Sequence, residues 1–391
     1  LGAFREHAKS LEEKDICCTQ QIRTDDSSDS LSGLMSLAAV VYTDEEPTHW
    51  DKSKLQRLLA FANQTVFLVD ASRLVPVRKL PEKLRTTPAF RKAHGALRED
   101  YIALRQQVLE SEFVCELKNK EQIDLDSGQS DRSLKNQNFS NYSDIDLQQL
   151  VSQLNINHNI PISTEHPPTQ AAIAKRIRVL TTEILARYKW IRNNPALEFS
   201  TSELSPYLHF GMISPHQLMA EIDASDVPKT YTWKFRDEFL TWREWSHYQA
   251  FYNSTLHTFE GLPNSAQKTL LAHSKDERPE QMSKADLIHG NSPDKTWNAA
   301  QKEWLHTGWL HNNLRMYWAK QILRFTPTPQ AAWDISLDGR DPATYASMQW
   351  AFGNAKPGYS EKEIYGWIAP KSDRAILKRK GMKDWIENRQ S

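Results

Sequence analysis

Cysteine, net charge and long apolar runs are all scarce in this chain of 391 residues. The three cysteines, Cys17, Cys18 and Cys115, form no CxxC pair and leave one thiol unmatched. This pattern excludes a disulfide framework and a zinc site, and it indicates a reducing compartment. We therefore expect an intracellular, cytoplasmic protein.

Charge and hydropathy exclude two further classes of protein. Lys plus Arg and Asp plus Glu number 49 each, so any nucleic-acid contact must be a local patch and not a basic field over the whole surface. No apolar run approaches the roughly 20 residues that cross a bilayer, and the first residues lack the features of a signal peptide. We expect a soluble monomer away from membranes.

Tryptophan is plentiful, with 13 residues. A large helical core would account for so many indoles. Indoles that stack on bases or carry electrons would account for them as well. Both interpretations stay open at this point, and the length suits two domains.

Helix and strand patterns alternate over residues 1–115. The helical patterns lie at 5–14 and 52–62, and the strand patterns lie at 16–22, 37–43 and 65–70. The strands at 37–43 and 65–70 are continuously apolar, which is typical of buried parallel strands. The alternation predicts an α/β domain with a doubly wound parallel sheet. The sheet should be incomplete, because the chain opens on a helix and not on a first strand.

A polar segment separates this region from a helical one. Residues 118–145 have no apolar period and predict an interdomain linker, which we bound at 116–168. Thr169 then fits a helix N-cap, and apolar residues recur at helical spacing up to Pro195. Because no alternating strand pattern follows, we expect residues 169–391 to form an all-α domain.

Three motifs near the C-terminal end carry a resemblance to a known family. Trp-Asn-Ala-Ala-Gln stands at 297–301, Gly-Trp-Leu-His-Asn-Asn-Leu-Arg-Met-Tyr-Trp at 308–318, and Leu-Asp-Gly-Arg-Asp-Pro at 337–342. They resemble the flavin-binding domain of the photolyase and cryptochrome superfamily, most closely the class II photolyases that split cyclobutane pyrimidine dimers. The resemblance runs from about residue 38 to the C-terminus. It implies non-covalent FAD, active in its reduced form, and UV-damaged DNA as the partner.

Residues 201–211, Thr-Ser-Glu-Leu-Ser-Pro-Tyr-Leu-His-Phe-Gly, form a candidate phosphate site. Hydroxyls and free amides at the start of a helix favour an anion, although Thr-Ser alone more often means only a capped helix. The whole string resembles the family segment that holds the flavin pyrophosphate. The resemblance therefore assigns phosphate and ribityl contacts to Tyr188, Thr201, Ser202, Leu204 and Ser205.

Two charged residues match the partners of the flavin ring in the family. Arg315 and Asp338 would tune the charge at the N5 and O4 edge of the ring. As a bare pattern, they could instead form an ordinary surface ion pair. The resemblance adds Arg243 and Asp341 to the cofactor contacts.

A second group of residues predicts a lesion pocket. Glu238 and Trp242 share one helical face, but by itself this pattern usually means a solvated glutamate and a core tryptophan. The resemblance assigns Glu238 to contact with the lesion and assigns Trp242 and Trp350 to stacking on the flipped dimer. It also places Asn312 and Met316 among the catalytic residues of this pocket.

Two residues of this pocket bear on which lesion is the substrate. Asn312 and Met316 stand where enzymes that repair 6-4 photoproducts carry two histidines. Neither is histidine here. The sequence therefore points to cyclobutane dimers.

Trp318 and Trp297 match the first and second members of the class II electron-transfer chain. Phe325 stands where the third, surface tryptophan is expected, and Phe is far harder to oxidise. Photoreduction must then end at Trp297 or leave through another indole, for which the candidates nearby in sequence are Trp304, Trp309 and Trp333.

Two further departures from the family concern missing stretches. The segment between Phe325 and Asp338 is short by about two helical turns. It lacks the asparagine that faces flavin N5 in class II enzymes, and Ala343 sits where another subfamily has a comparable asparagine. The absent first βα unit helps to build the antenna site in the family, so an antenna chromophore is doubtful.

Cations cluster near the end of the chain, at Lys378, Arg379 and Lys380. Such a run is usually only a solvated face. On a protein of zero net charge, however, a local cationic strip is what phosphate steering requires. We therefore predict DNA contacts at these three residues.

The resulting hypothesis is light-driven repair of cyclobutane pyrimidine dimers, by electron transfer from excited reduced FAD to a flipped-out lesion. One alternative is a cryptochrome-like photoreceptor that binds FAD without repairing DNA, which the absence of a long C-terminal extension disfavours. The other is a DNA-binding module of the same fold without useful photochemistry.

Overall fold

The computed structural model describes residues 2–13, 35, 38–45, 47–103, 147–152, 154–156, 158–160, 162–336 and 341–389. Several predictions from the sequence concern residues outside these ranges. They are the strand at 16–22, the polar segment at 118–145, the three cysteines and Asp338.

The N-terminal part contains a βαβ unit. Its helices and strands are α1 (Gly2–Glu12), β1 (Val40–Asp44), α2 (His49–Phe61), β2 (Thr65–Val69) and α3 (Thr87–Gly95), with a 3-10 turn at Val77–Lys79. The strands β1 and β2 pair in parallel, with Val40 opposite Thr65 and Asp44 opposite Val69. The predicted order of strand, helix and parallel strand is thus confirmed.

The prediction that these strands are buried is wrong. Tyr42 is 69% exposed and Phe67 is 48% exposed. Their rings stack on each other, with centroids 5.2 Å apart, and do not enter a core. The apolar run indicated a strand correctly, but burial depends on the layers that cover it, which a local pattern does not contain.

The rest of the described chain is helical. Its helices are α4 (Leu147–Ser152), α5 (Gln170–Val179), α6 (Tyr188–Ile191), α7 (Ser205–His209), α8 (Pro215–Asp223), α9 (Lys229–Asp237), α10 (Glu244–Tyr252), α11 (Asn264–Ala272), α12 (Lys284–His289), α13 (Lys295–Thr307), α14 (Asn312–Phe325), α15 (Pro329–Ser336), α16 (Pro342–Gly353), α17 (Arg374–Leu377) and α18 (Met382–Glu387). A 3-10 turn lies at Phe259–Gly261, and π turns lie at Leu180–Ile184 and Glu238–Arg243. Within residues 162–336 and 341–389, β structure is limited to isolated bridges near the end of the chain. None of the helices in the described ranges is long and apolar enough to cross a membrane.

The helix predicted from Thr169 starts as expected but does not run to Pro195. The Thr169 hydroxyl accepts a hydrogen bond from the Ala172 amide at 3.2 Å, which confirms the N-cap. The helix then widens, since the Leu185 amide bonds to the Leu180 carbonyl, five residues back. Thr181 donates its hydroxyl to carbonyls of the preceding turn, a bond that commonly bends a helix.

The hydrophobic core lies in the helical part. The largest cluster surrounds Trp297, Tyr317 and Phe325. A second surrounds the π turn at Leu180–Ile184, and a third joins Val77 and its neighbours of the N-terminal part to α10. The N-terminal part therefore packs against the same helix that follows the π turn at Glu238–Arg243.

One polar contact fixes this packing. Glu244, at the start of α10, is buried, and its carboxylate accepts the Leu74 amide at 3.1 Å. Burial alone would raise the pKa of Glu244, but His94 and Arg243 beside it lower the pKa below its ordinary value. Because Arg243 comes directly before this carboxylate, the joint between the two parts holds a predicted cofactor residue in place.

Candidate functional site

Three elements that carry predicted site residues pack together. Helix α16, which carries Trp350, contacts both α14 and the π turn at Glu238–Arg243. Helix α14 carries Asn312, Arg315, Met316 and Trp318. Residues spread over more than 100 positions of the sequence are thereby brought onto adjoining elements.

The predicted phosphate segment forms a locked turn before α7. Glu203 has φ +52°, a left-handed backbone that is uncommon for a residue other than glycine. Its carboxylate accepts from Arg176 at 2.6 Å and lies 3.2 Å from His166 Nε2. Burial raises the pKa of Glu203, but the hydrogen bonds and charges of His166 and Arg176 outweigh burial and lower it. These contacts hold the segment that bears the predicted hydroxyls.

The predicted contacts on either side of Glu203 differ in exposure. Thr201 and Ser202 are partly exposed, and the Ser202 hydroxyl accepts the Leu204 amide at 3.4 Å. Leu204 is buried, so it can offer a ligand only its backbone. Ser205 starts α7 and is exposed. Hydroxyls at Thr201 and Ser205 remain accessible to a phosphate.

Tyr188 lies on α6, the helix that precedes this turn in the sequence. It is partly buried, and its ring meets Phe235 edge-on, with centroids 5.1 Å apart. Burial and the nearby carboxylate of Glu238 raise the pKa of its phenol well above the ordinary value. Tyr188 therefore stays neutral and can donate a hydrogen bond.

A polar centre joins Arg243, His247, Arg315 and Asp341. His247 is buried, and neither ring nitrogen has a hydrogen-bond partner among the described residues. Burial and the charge of Arg243 lower the pKa of His247 to about 3, although Asp341 acts in the opposite direction. The ring is therefore neutral, with an unused donor and an unused acceptor.

The two arginines of this centre have different surroundings. Arg243 Nη1 donates to the Ser72 carbonyl at 2.8 Å and lies 3.3 Å from a Glu244 oxygen. The guanidinium of Arg315, in contrast, makes no hydrogen bond or ion pair to any residue in the described ranges. Burial lowers the pKa of Arg315, and the charge of Asp341 offsets part of that shift. Within the part of the chain that the structure describes, Arg315 is thus a cation without a bonding partner.

Asp341 is anchored by protein groups. One oxygen caps α16 by accepting the Ala343 amide at 2.7 Å, and the other lies 2.9 Å from His209 Nδ1. Burial would raise the pKa of Asp341, but the hydrogen bond and charge of His209 and the hydrogen bond from the Ala343 amide bring it far below its ordinary value. Asp341 therefore remains a carboxylate within reach of the unpaired groups of the centre.

The π turn presents the first wall of the predicted lesion pocket. Trp242 is 42% exposed, which is unusual for a core tryptophan. Glu238 starts the same turn, and its carboxylate lies 3.2 Å from Arg192 Nε and 2.9 Å from Lys234 Nζ. Glu238 is held at the surface by two cations, and π turns frequently occur at functional sites.

Trp350 forms the other predicted wall and lies beside two lysines. Lys320 Nζ is 4.9 Å from the ring centroid and Lys371 Nζ is 5.6 Å from it. Lys320 is buried and donates to the carbonyls of Ala351, at 3.2 Å, and Ala369, at 2.7 Å. Burial and the charge of Lys371 lower the pKa of Lys320 to about 8. The segment with Ala369 and Lys371 is thereby held against α14 and α16, around the Trp350 indole.

The remaining residues of the predicted pocket lie on the first turns of α14. Asn312 is exposed and Met316 is partly buried. His311, directly before them, is buried and accepts the Asn313 amide through Nδ1 at 3.0 Å. Burial and the charge of Arg315 lower the pKa of His311 to about 4, so this histidine is also neutral.

Trp297 and Trp318 form a stacked pair. Their ring centroids are 5.6 Å apart and their planes differ by 10°. Trp297 is fully buried and donates its indole N–H to the Trp318 carbonyl at 3.2 Å, while Trp318 donates to Gln301 Oε1 at 2.9 Å. Both indoles are therefore fixed in position and orientation.

Phe325 continues this pair but does not reach the surface. It meets Trp297 edge-on, with centroids 5.5 Å apart, and it is fully buried. Phe325, at the position that the resemblance gives to the third, surface tryptophan, thus lies beside Trp297 in the core. Among the described contacts, neither ring of the stacked pair touches Trp304, Trp309 or Trp333.

The predicted DNA strip is not uniform. Lys378 and Lys380 are exposed, as expected. Arg379 is half-buried, and its pKa is lowered by burial and by the charge of Arg192. Arg379 is therefore less available to a DNA phosphate than its two neighbours.

A cavity of about 830 Å³ lies elsewhere, between Asp294, Tyr317, Arg324 and Lys383. It is separate from the predicted phosphate, ring and lesion contacts. Its lining mixes acids and bases and contains none of those predicted residues.

Two site residues were not found from the sequence. His247 lies on α10 and Lys320 on α14, and the local sequence of neither helix indicates a buried ionisable side chain. An unpartnered buried imidazole and a buried ammonium arise only from the tertiary packing. The described residues contain no group of His, Cys, Asp and Glu that could hold a metal ion.

Comparison with curated proteins finds similarity to deoxyribodipyrimidine photo-lyases. The chain is 35% identical to one from Methanothermobacter thermautotrophicus over 214 residues, which are 52% of this chain and 47% of that protein. It is 38% identical to one from Potorous tridactylus over 188 residues, covering 45% and 35% of the two chains. The chain spans less than half the length of these relatives. No family model matches the chain.

Solved structures share the fold. A class III photolyase from Agrobacterium tumefaciens has a TM-score of 0.59 and 18% identity, with 93% of this chain and 71% of that chain covered. An archaeal photolyase from Sulfolobus tokodaii, solved with two FAD molecules, has a TM-score of 0.57 and 14% identity, with 100% and 79% covered. At these identities the likeness concerns the fold alone.

Proposed function

The chain belongs to the photolyase and cryptochrome superfamily, and we propose that it uses light to split cyclobutane pyrimidine dimers in UV-damaged DNA, with reduced, non-covalent FAD as cofactor. The observation that carries this proposal is the packing of α10, α13, α14, α16 and the π turn at Glu238–Arg243. It combines the cation of Arg315, a buried neutral histidine, two partly exposed indoles and a stacked tryptophan pair.

The residues present fit a flavin. A bound ring would find two ring nitrogens at His247 that have no hydrogen-bond partner among the described residues. It would also find the guanidinium of Arg315, which lies near Asp341. Tyr188, Thr201, Ser202, Leu204 and Ser205 are proposed to hold the phosphates and ribityl chain, and Arg243, Asp338 and Asp341 to complete the ring contacts. When bound, reduced flavin supplies the excited electron that splits the dimer, a chemistry that the protein itself does not provide.

The protein's own part is to extrude and hold the lesion. Trp242 and Trp350 are proposed to stack on the flipped bases, which is how enzymes acting on a base keep it outside the duplex. Glu238 would accept a hydrogen bond from a base edge, while Arg192 and Lys234 keep it oriented. Lys378 and Lys380 would attract the DNA backbone, and half-buried Arg379 would act closer to the pocket.

The first turns of α14 support cyclobutane dimers as the substrate. Asn312 and Met316 offer no imidazolium that could protonate a 6-4 photoproduct. His311 is adjacent, but it is buried and its pKa of about 4 leaves it neutral. A proton donor of that kind is therefore lacking in this part of the described pocket.

A cryptochrome-like photoreceptor is the second candidate function. The stacked Trp297 and Trp318 pair favours it, because such a pair would support light-driven reduction of a flavin without any DNA substrate. For either function, we also propose that the protein acts as a monomer in the cytoplasm, a reducing intracellular compartment.

Purified protein, supplied with FAD and reduced chemically, tests the proposal. It is illuminated with one oligonucleotide that contains a thymine cyclobutane dimer and another that contains a 6-4 photoproduct. We expect restored thymines in the first and no change in the second. A protein that takes up no flavin after refolding with excess FAD, or that repairs both lesions comparably, contradicts the proposal. Flavin reduction without dimer repair would favour the photoreceptor.

A further inference from the structure

Three aromatic side chains are exposed together on α6 and α9. Trp190 is 64% exposed, Trp233 is 47% exposed and Tyr231 is 46% exposed. The two helices pack against each other, and the rings of Trp190 and Tyr231 have centroids 6.5 Å apart. We name Trp190, Tyr231 and Trp233 the aromatic patch. Isolated surface aromatics are common, but several large rings in one place mark a binding surface.

A lysine links the rings of the aromatic patch. Lys189 Nζ lies 5.8 Å from the Trp190 ring and 5.6 Å from the Trp233 ring. Residues 187–192 read Arg-Tyr-Lys-Trp-Ile-Arg, with three cations and no acid. Among the described contacts, Lys189 has no carboxylate partner, and the Arg187 Nε bonds only to a backbone carbonyl. The centre of the patch is therefore cationic.

One edge of the aromatic patch is neutralised. Lys234 Nζ lies 5.9 Å from the Trp233 ring, but it is also paired with Asp237 at 3.2 Å and with Glu238 at 2.9 Å. The free charge is thus on the α6 side. This places accessible cations beside accessible ring faces, the combination that binds single-stranded nucleic acid without sequence preference.

We propose that the aromatic patch binds unpaired bases of single-stranded DNA, with Lys189 and Arg187 contacting phosphates. Helix α9 runs directly into the π turn that carries Glu238 and Trp242. The aromatic patch therefore adjoins the proposed lesion pocket, but it uses different rings. It is a second nucleic-acid site, and it needs neither flavin nor a lesion.

Binding of undamaged oligonucleotides in the dark tests this site. The full chain is titrated into fluorescein-labelled dT16 at fixed low salt, and anisotropy is recorded. Trp190→Ala and Trp233→Ala should each weaken binding at least about fivefold, because each removes one stacking ring. Trp304→Ala is the matched control, since Trp304 is 49% exposed on α13 and lies outside the patch. It should bind like the parent.

Charge and strand type provide two further measurements. Lys189→Gln should lower the salt dependence of dT16 binding by about 0.7 in the logarithmic slope. A 16-base-pair duplex should lose much less than dT16 when Trp190 or Trp233 is replaced, because its bases are not free to stack. Thermal melts confirm that each variant is folded.

Several outcomes would overturn the site. They are a parent that does not bind dT16, patch variants that bind like the parent, equal losses with Trp304→Ala, and losses on duplex as large as those on dT16. If rU16 depends on the patch as strongly as dT16 does, the assignment to DNA is wrong. Since the measurement uses neither light nor a lesion, failure here leaves dimer repair standing, and failure of repair leaves this site standing.

Discussion

The indoles of this protein occupy two opposite environments. Trp297 and Trp318 are stacked inside the helical body, and both indole N–H groups donate to fixed acceptors. Trp190 and Trp233 lie at the surface, and a lysine ammonium is within 6 Å of each ring. The same side chain is immobilised in one region and offered to solvent in the other.

The difference indicates what each region can do. Electron transfer between rings requires a constant separation, and burial with directed hydrogen bonds provides it. Binding of nucleic acid requires free ring faces and nearby cations, which only an exposed patch provides. Trp350 stands between these extremes, partly buried but beside two lysines. Substitutions can therefore separate electron transfer from DNA binding.

The largest effect is expected from Trp318→Phe. This change removes the oxidisable ring that stacks on Trp297, so light-driven flavin reduction should be abolished. Transient absorption should show a tryptophan radical in the parent and none in the variant. Trp333→Phe is the control, because Trp333 is buried as Trp297 is but does not touch the pair in the described contacts. Normal photoreduction in Trp318→Phe would show that the pair is not the electron route.

Trp350→Ala should affect DNA and leave photoreduction unchanged. Loss of one stacking ring should weaken binding of dimer-containing duplex by roughly 1–3 kcal/mol. Competition between damaged and undamaged duplex measures the effect. Undamaged duplex should lose little in Trp350→Ala, whereas replacing Lys378 and Lys380 with Gln should weaken both duplexes and flatten their salt dependence. Equal losses on both duplexes for Trp350→Ala would count against a lesion pocket.

Phe325→Trp should extend the stacked pair of Trp297 and Trp318 by one oxidisable ring. Photoreduction should become faster, at a cost of about 1–3 kcal/mol in unfolding free energy, because the site is fully buried. Phe352→Trp is a matched control, since Phe352 is also buried and meets Trp333 edge-on at 5.8 Å. It should cost similar stability with no gain in rate. A gain in both variants would mean that the geometry next to Trp297 is irrelevant.

The smallest effect concerns the pH dependence of stability at Lys320. Burial and Lys371 lower the pKa of Lys320 from 10.5 to about 8 in the folded protein. Below pH 8 the amine is charged in both states, and the cost of burying it is fully present. Between pH 8 and 10.5 the unfolded chain binds more protons, so the folded state gains stability as pH rises.

Urea unfolding of the parent and of Lys320→Met checks this sign. From pH 7.5 to 9.5 the parent should gain about 1–2 kcal/mol relative to the variant. Groups that titrate elsewhere cancel in the difference. A constant difference across this range would mean that Lys320 keeps its ordinary pKa.

The sequence predicted that the C-terminal part of the chain is helical, but it did not predict the irregularities of its helices. Helical periodicity identified the N-cap at Thr169, and the motifs placed Trp318 beside Trp297. The π turns were missed, because one extra residue in a helical turn barely changes an apolar period. The assigned roles of the site residues remain predictions, and Asp338 lies outside the described residues.

Long-range packing accounts for what the sequence could not predict. The ammonium of Lys320 is buried only because carbonyls 31 and 49 residues away converge on it. Arg379 is only partly exposed, and the charge of Arg192, which is distant in the sequence, acts on it. Tyr42 and Phe67 stayed exposed because strand patterns do not encode which layers will cover them.

Dimer repair by chemically reduced protein tests the central claim most directly, when the parent and Trp318→Phe are compared in repaired dimers per absorbed photon. The stacked pair of Trp297 and Trp318 is proposed to reduce the flavin, and the pocket around Trp242 and Trp350 is proposed to hold the lesion. We therefore predict the same yield of repaired dimers from both proteins, although only the parent photoreduces its flavin. No repair by the pre-reduced parent, or a yield that falls with the loss of Trp318, would contradict it.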